Sequence, residues 1–132
     1  QNMSNIIEVL FKYKIDGVIL SNTSEKCRDS LIDKKKFEKG GLSGKPIRNL
    51  STDIIKKFYK ELKGQIPIIG VGGVNSGQSA LEKILAGANA IQLYTGMVYE
   101  GPGIVKNIKE EMITFLQKEK IKNISEIVGA GN

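Results

Sequence analysis

The stretch that decides the fold is PIIGVGGVNSG at residues 67–77, an apolar run that ends in glycines and leads into the helix-like QSALEKILAG. Glycine weakens a strand because it costs chain entropy and packs no side chain. Gly70, Gly72, Gly73 and Gly77 therefore need a compensating role at this strand end. The candidates are a turn that requires positive φ, a close contact between helix and strand, or a ligand that approaches bare backbone.

Three short β-type runs alternate with helical patterns, which predicts an α/β fold with a parallel sheet. The runs are GVILS at 17–21, IIGVG at 68–72 and AIQLY at 90–94. Apolar residues at helical spacing predict helices over 4–13, 52–62, 76–86 and 104–118. Ser51, Thr52 and Asp53 are suited to begin the second helix, and Ser76 and Gly87 to bound the third.

Two features predict that these 132 residues are part of a larger unit. Three parallel strands with helices on one side would leave the other face of the sheet bare, although the runs are apolar enough to be covered on both faces. The opening QNMSNIIEVLFKYKIDG also reads directly as a helix that leads into a strand. We therefore expect further strands outside the segment.

The net charge of +6 does not by itself predict nucleic-acid binding. Lysines alternate with acidic residues in KELK, KNIKEEM and QKEKIKN, which is typical of solvated helix faces. The basic run at 34–36 contains no aromatic residue that could stack on a base. Cys27 is the single cysteine and histidine is absent, which excludes Cys–His catalysis and imidazole metal ligands within the segment. We predict neither a nucleic-acid partner nor a metal.

Three interpretations of GVGGVNSGQS compete. A P-loop, G-x-x-x-x-G-K-S/T, would need a lysine where Gln78 stands. A dinucleotide fingerprint would need glycine in place of Asn75 and an acidic residue after the next strand. A phosphate cup of a (β/α)₈ barrel needs only glycine amides and a helix whose positive end, here at Ser76, faces the phosphate. A simple turn shaped by Gly72 and Gly73 remains the alternative.

Polar clusters follow all three strands at their carboxyl ends, where parallel α/β folds bind ligands. They are SNTS at 21–24, GGVNSG at 72–77 and YTG at 94–96. The loop at 22–50, which contains GGLSG, far exceeds the roughly 2–6 residues usual for such a connection, and such loops are often functional. Asn22 could donate to and accept from a planar ligand, although an Asx turn is the common role.

Taken together, DGVILSNTS, GGLSGKPIRNLST, IPIIGVGGVNSGQSALEKILAGANAIQLYTG and YEGPG resemble the C-terminal half of dihydroorotate dehydrogenases. The match runs from residue 15 to residue 102, and the four motifs occur in the family's order and spacing. LYT followed by YEGP is similar to the quinone-using, membrane-associated class 2 enzymes. Class 1 relatives more often carry a VGT-like ending there.

The resemblance implies an FMN-dependent (β/α)₈ barrel that oxidises dihydroorotate to orotate in de novo UMP biosynthesis and reduces a quinone. Residues 1–132 would be the C-terminal half of the barrel domain, with its sixth, seventh and eighth strands. The partner of this half would be the N-terminal half of the barrel. Membrane contact, through segments not in this chain, would place the protein at the cytoplasmic side of a bacterial inner membrane or at the mitochondrial inner membrane.

The same resemblance implies roles for individual residues. Asn22 and Thr23 would hydrogen-bond the pyrimidine ring, and Tyr94 and Pro102 would line the quinone tunnel. The residues that would contact FMN are Ser21, Ser43, Gly44, Val71, Gly72, Gly73, Tyr94 and Thr95. Of these, the ones whose backbone N–H groups would hold the phosphate are Gly44, Gly73, Tyr94 and Thr95.

The catalytic base of class 2 enzymes, a serine, would lie on a loop outside the segment, so no residue here is assigned as catalytic. We accordingly expect the 132 residues alone to be inactive. The alternatives are a class 1 enzyme or another FMN barrel oxidoreductase, and a non-catalytic half-barrel that binds a phosphate ligand.

Overall fold

The structure, a computed structural model, describes residues 2–29 and 31–132. Its helices are α1 (Asn2–Lys12), α2 (Arg48–Leu62), α3 (Gly77–Leu85), α4 (Thr95–Glu100) and α5 (Ile104–Lys118). Its strands are β1 (Val18–Leu20), β2 (Ile68–Val71) and β3 (Ala90–Gln92). Short 3₁₀ turns occupy Lys34–Phe37, Lys45–Ile47 and Ile124–Ile127. The predicted alternation of strands and helices is confirmed.

The strands form one parallel sheet in the order β1-β2-β3, as predicted. Leu20 pairs with Gly70, and Gly70 pairs with Ile91, so these three residues share a face of the sheet. All polar stretches that follow the strands therefore meet at one edge, because the strands run in the same direction. This edge positions the candidate site.

Only one face of the sheet is covered by helices among the described residues. The core on that face is centred on Ile55, Leu62 and Ile68, each at most 1% exposed. On the opposite face Ile19 is 55% exposed. The bare face that the sequence predicts for three strands is therefore present.

Helix α2 begins earlier than its sequence pattern predicts, so the expectation that Ser51, Thr52 and Asp53 begin the helix as capping residues is wrong. The 3₁₀ turn with Pro46 in its first positions leads directly into Arg48, because proline fixes a helical φ. Ser51 and Thr52 instead lie in the first turns of α2, where their hydroxyls bond to backbone carbonyls.

The bounds of α3 agree with the sequence prediction. Ser76 caps its N-terminus in a capping box with Ser79, and Gly87 follows its C-terminus at a φ of +119°. Helix α4 was not predicted, because six residues are too few to display a helical period. No helix in the described parts of the chain is long and apolar enough to cross a membrane.

We predict that Ile55→Ala destabilises the complete protein that contains these residues. Ile55 is 0% exposed, so the truncation leaves a cavity against β2 and should lower the free energy of unfolding by about 2–5 kcal/mol. Urea unfolding measures this change. Ile113→Ala, at a position on α5 that is 50% exposed, is the control and should cost less than about 1 kcal/mol. Equal losses in both variants would contradict this assignment of the core.

Candidate ligand site at the carboxyl ends of the strands

A cleft of about 930 Å³ lies at the carboxyl ends of the three strands. Four segments line it, namely 21–23, 41–47, 71–75 and 92–96. The predicted ligand residues in its lining are Ser21, Asn22, Thr23, Ser43, Gly44, Val71, Gly72, Gly73, Tyr94 and Thr95. Pro102 is not in this lining and lies exposed in the turn between α4 and α5. One cavity thus collects residues that are up to 74 positions apart, from Ser21 to Thr95.

The segment after β1 is joined to the long loop by backbone pairing. Ser24 and Leu42 exchange N–H···O bonds of 3.0 and 2.8 Å. The side-chain oxygen of Asn22 accepts the N–H of the next residue, Thr23, at 2.8 Å, whereas an Asx turn would bond the N–H two residues on. This bond uses only Oδ1, so the Nδ2 group of Asn22 is left available as a donor at the cleft.

Arg28 organises the lysine-rich part of the long loop. Its guanidinium donates to the carbonyls of Lys36 at 2.7 Å, Glu38 at 2.9 Å and Gly40. Two of these carbonyls precede the GGLSG stretch at 40–44, and the third belongs to its first residue, Gly40. Sequence reasoning did not identify Arg28, because guanidinium–carbonyl bonds carry no residue pattern.

The GGLSG stretch is joined to the beginning of α4. Thr95 donates from Oγ1 to Oγ of Ser43 at 2.9 Å. A Cβ at Gly44, whose φ is +77°, would lie 2.8 Å from Cγ2 of Thr95. The cleft therefore has a closed wall where the loop after β1 meets the residues after β3.

The glycines after β2 are explained by backbone conformation and by a close helix contact. Gly72 and Gly73 have φ values of +111° and +75°. A Cβ at Gly73 would lie 2.6 Å from Cβ and 2.7 Å from Cα of Arg48, and one at Gly72 would lie 2.9 Å from Ser51. The first turn of α2 thus packs directly against the turn formed by Gly72 and Gly73, referred to below as the glycine turn.

The positive end of α3 is occupied by side chains of the chain itself. The N–H of Gly77 donates to the Glu111 carboxylate at 2.5 Å, and the N–H of Ser79 donates to Oγ of Ser76 at 3.2 Å. The expectation that this helix end faces a phosphate is therefore wrong. Glu111 lies on α5, 34 residues from Gly77, so no local motif could have indicated it.

Other backbone amides in the cleft are unused. Among the hydrogen bonds of residues 2–29 and 31–132, none has the N–H of Gly44, Gly73, Tyr94 or Thr95 as its donor. All four residues line the same cleft. Unbonded backbone N–H groups that line one cleft can bind an anion without a lysine.

A buried lysine lies behind the glycine turn. Lys83 on α3 is 0% exposed, and its Nζ donates to the Arg48 carbonyl at 3.1 Å and to Oγ1 of Thr52 at 2.7 Å. Burial lowers the pKa of Lys83 to about 8, against the attraction of Glu82, with the charge of Arg48 adding to the lowering. In the described ranges no cluster of His, Cys, Asp or Glu side chains could hold a metal ion.

The fold and the cleft define a class of protein, in which a ligand binds at the carboxyl edge of parallel strands and glycine amides face it. The family model described as dihydroorotate dehydrogenase matches residues 1–116. The chain belongs to the dihydroorotate dehydrogenase family. The resemblance found in the motifs is therefore confirmed.

Individual relatives agree with this assignment. The chain is 45% identical to the dihydroorotate dehydrogenase (quinone) of Trichodesmium erythraeum, over 96% of this chain and 35% of that protein. It is 43% identical to the mitochondrial dihydroorotate dehydrogenase (quinone) of Mus musculus, over 98% of this chain and 33% of that protein. The chain thus spans about a third of the length of these curated relatives.

Solved structures agree as well. The ligand-free dihydroorotate dehydrogenase of Eimeria tenella superposes with a TM-score of 0.92 at 36% identity, covering 97% of this chain and 36% of that one. The same enzyme in complex with ferulenol gives a TM-score of 0.91. The arrangement of helices and strands described above is therefore that of the family.

We predict that Gly73→Ala lowers stability in the complete protein. The new Cβ would meet the backbone of Arg48, and the positive φ would be strained, so the cost should be about 1–3 kcal/mol in unfolding free energy. Gly103→Ala is the matched control, because a Cβ there meets nothing within 4 Å and φ is −60°. A Gly73 variant as stable as the control would argue against the close contact.

We also predict a pH-dependent stability difference between the wild type and Lys83→Met. Between pH 8 and 10.5 the unfolded lysine binds more protons than the buried one, so wild-type stability rises with pH relative to the variant. The expected gain is roughly 2 kcal/mol from pH 7 to 9.5 in urea unfolding. Lys60→Met, an exposed position on α2, should show no such difference. A difference in stability between wild type and Lys83→Met that stays constant from pH 7 to 9.5 would refute the lowered pKa.

Proposed function

We propose that the complete protein that contains these residues oxidises dihydroorotate to orotate with FMN and passes the electrons to a quinone, a step of de novo UMP biosynthesis. The observation that carries this proposal is the single cleft in which residues from three strand ends meet four unused backbone amides. Membership of the family supplies the choice of substrate. The quinone is suggested by the names of the relatives.

The cleft has the properties that FMN requires. Its volume of about 930 Å³ lies within the usual range for ligand pockets, about 300–1,000 Å³. The amides of Gly44, Gly73, Tyr94 and Thr95 would hold the phosphate, and no basic side chain is needed for that contact. Bound FMN would supply the acceptor for the two electrons of the substrate.

Further contacts would hold the flavin ring. Val71 and Gly72 at the end of β2 would lie along the ring, and Ser21 and Ser43 would approach it from the segments after β1. Gly72 is suited to this position because its contact with Ser51 leaves no room for a side chain. The hydrogen bond from Thr95 to Ser43 would fix the wall beside the ring.

Asn22 and Thr23 would bind the pyrimidine ring. Because the Thr23 N–H holds Oδ1 of Asn22, the Nδ2 group would be directed as a donor toward a carbonyl of the substrate. The hydroxyl of Thr23 would donate or accept beside it. Neither residue has an acid–base role in this proposal, and the catalytic base would come from a part of the protein outside these residues.

We assign β1, β2 and β3 to the sixth, seventh and eighth strands of a (β/α)₈ barrel, with residues 1–132 as its C-terminal half and 22–50 as a long βα loop. Two observations support this assignment. Ile19 on the open face of the sheet needs a cover, and the chain covers only 36% of the Eimeria enzyme. The other half of the barrel would be that cover.

We assign Tyr94 and Pro102, which flank the two ends of α4, to the lining of the tunnel through which the quinone would reach the flavin. Tyr94 is 77% exposed, and it is both a cleft residue and a surface residue, so it could connect the flavin with an apolar acceptor outside. A quinone acceptor implies a protein that associates with a bacterial inner membrane or the mitochondrial inner membrane. The membrane contact would be made by other parts of the protein.

The complete protein should show flavin absorption bands and oxidise dihydroorotate with a quinone, not with fumarate. Asn22→Ala should lower kcat/KM about 10- to 100-fold, because a substrate carbonyl loses its donor, while FMN content stays unchanged. Asn49→Ala, exposed on α2, is the control.

Three results would count against this proposal. Turnover with fumarate in place of quinone would favour a class 1 enzyme. Phosphate binding without flavin would favour a non-catalytic half-barrel. Full activity of Asn22→Ala would remove that residue from the substrate site.

A further inference from the structure

The side chain of Lys83 connects β2 with the beginning of α2, the helix that packs against the glycine turn. A Cβ at Gly70 would lie 3.3 Å from the Lys83 Cβ, so the root of the side chain packs on β2. At its other end, Nζ bonds to the Arg48 carbonyl and to Thr52, both in the first turns of α2. The side chain is completely buried between these two contacts.

The first turn of α2 in turn determines where the glycine turn lies. Arg48 fills the space beside Gly73, and Ser51 fills the space beside Gly72 while its hydroxyl donates to the Val71 carbonyl. Any shift of this helix end along the strand would therefore move the backbone of Gly73, whose amide is unused in the cleft.

Helix α3 holds the beginning of α2 by two attachments from adjacent residues. Lys83 bonds to the carbonyl of Arg48, and Glu82 pairs with its guanidinium at 2.7 Å to Nε and 2.5 Å to Nη2. The bidentate ion pair is partly exposed, whereas the lysine contact is buried. A buried contact is less screened by solvent and salt, so the lysine attachment persists where the exposed ion pair weakens.

We propose that Lys83 is a positioning residue for the ligand's phosphate group, holding Arg48 and thereby the Gly73 amide in the conformation that binds the anion. This inference rests on the proposed function, in which that anion is the FMN phosphate. Lys83 touches neither the flavin nor the substrate in this proposal and acts through Arg48.

The charge of Lys83 adds a pH dependence to this role. The charged groups that face it are Glu82, Arg48 and Asp53, whose charges together with that of Lys83 sum to zero. A bound phosphate adds negative charge, which favours the protonated lysine. Because burial lowers the pKa of Lys83 to about 8, phosphate affinity should fall as pH rises through that value.

The test uses the complete protein after removal of its flavin, titrated with FMN or with riboflavin, which lacks the phosphate. Lys83→Met should bind FMN about tenfold more weakly at pH 7 and leave riboflavin affinity unchanged. Wild-type FMN affinity should fall from pH 7 to 9, and that of the variant should stay constant. Lys60→Met is the control for removing an exposed lysine, and it should behave as wild type.

Thr52→Val is a second variant, which removes one Lys83 contact but keeps the charge. It should weaken FMN binding less than Lys83→Met and retain the pH dependence. The inference is overturned if Lys83→Met binds FMN as tightly as wild type, or loses FMN and riboflavin affinity equally. A wild-type protein that binds neither flavin would instead overturn the proposed function, and the inference with it.

Discussion

Gly73 has no side chain, and the backbone of Arg48 lies where a side chain would be. This close approach of a helix to the turn after a strand determines the rest of the site. It requires glycine at the turn and a helix that begins at Arg48, as well as groups that hold that helix end in place. Glu82 and Lys83 meet this last requirement from the following helix. Helix α2 thus connects the core, which it enters through Ile55, with the cleft, which it contacts at Gly72 and Gly73.

Arg48 and Lys83, the two cations behind the glycine turn, are both bonded within the chain. Arg48 is neutralised by Glu82, and the ammonium of Lys83 is buried against a carbonyl and a hydroxyl. The cleft offers neutral amide donors, among them that of Gly73, beside the charged side chains of Lys45 and Glu100. Such a surface recognises an anion by the direction of its hydrogen bonds more than by net attraction.

The sequence predicts those parts of the structure that depend on local patterns. The spacing of apolar residues was enough to predict a parallel sheet. The polar clusters that follow the strands were enough to place Asn22, Gly73 and Thr95 at one edge of it. Local patterns do not indicate contacts between distant residues. The bond from Glu111 on α5 to the first residue of α3 was therefore missed, and that helix end was assigned to a ligand. The start of α2 was misplaced for a related reason: Ser51 resembles a cap by type, while its partner is a carbonyl twenty residues away.

Arg28 fastens the long loop by bonding to three main-chain carbonyls, those of Lys36, Glu38 and Gly40. Every residue type has the same main-chain carbonyl, so these three bonds do not depend on the side chains of the residues that accept them. Residues such as Phe37, which is 83% exposed, can therefore change in size or charge without releasing the loop. The outer surface of the loop can therefore vary without loss of these bonds, whereas the three bonds themselves depend on the planar guanidinium of Arg28, which presents its donors in a fixed fork.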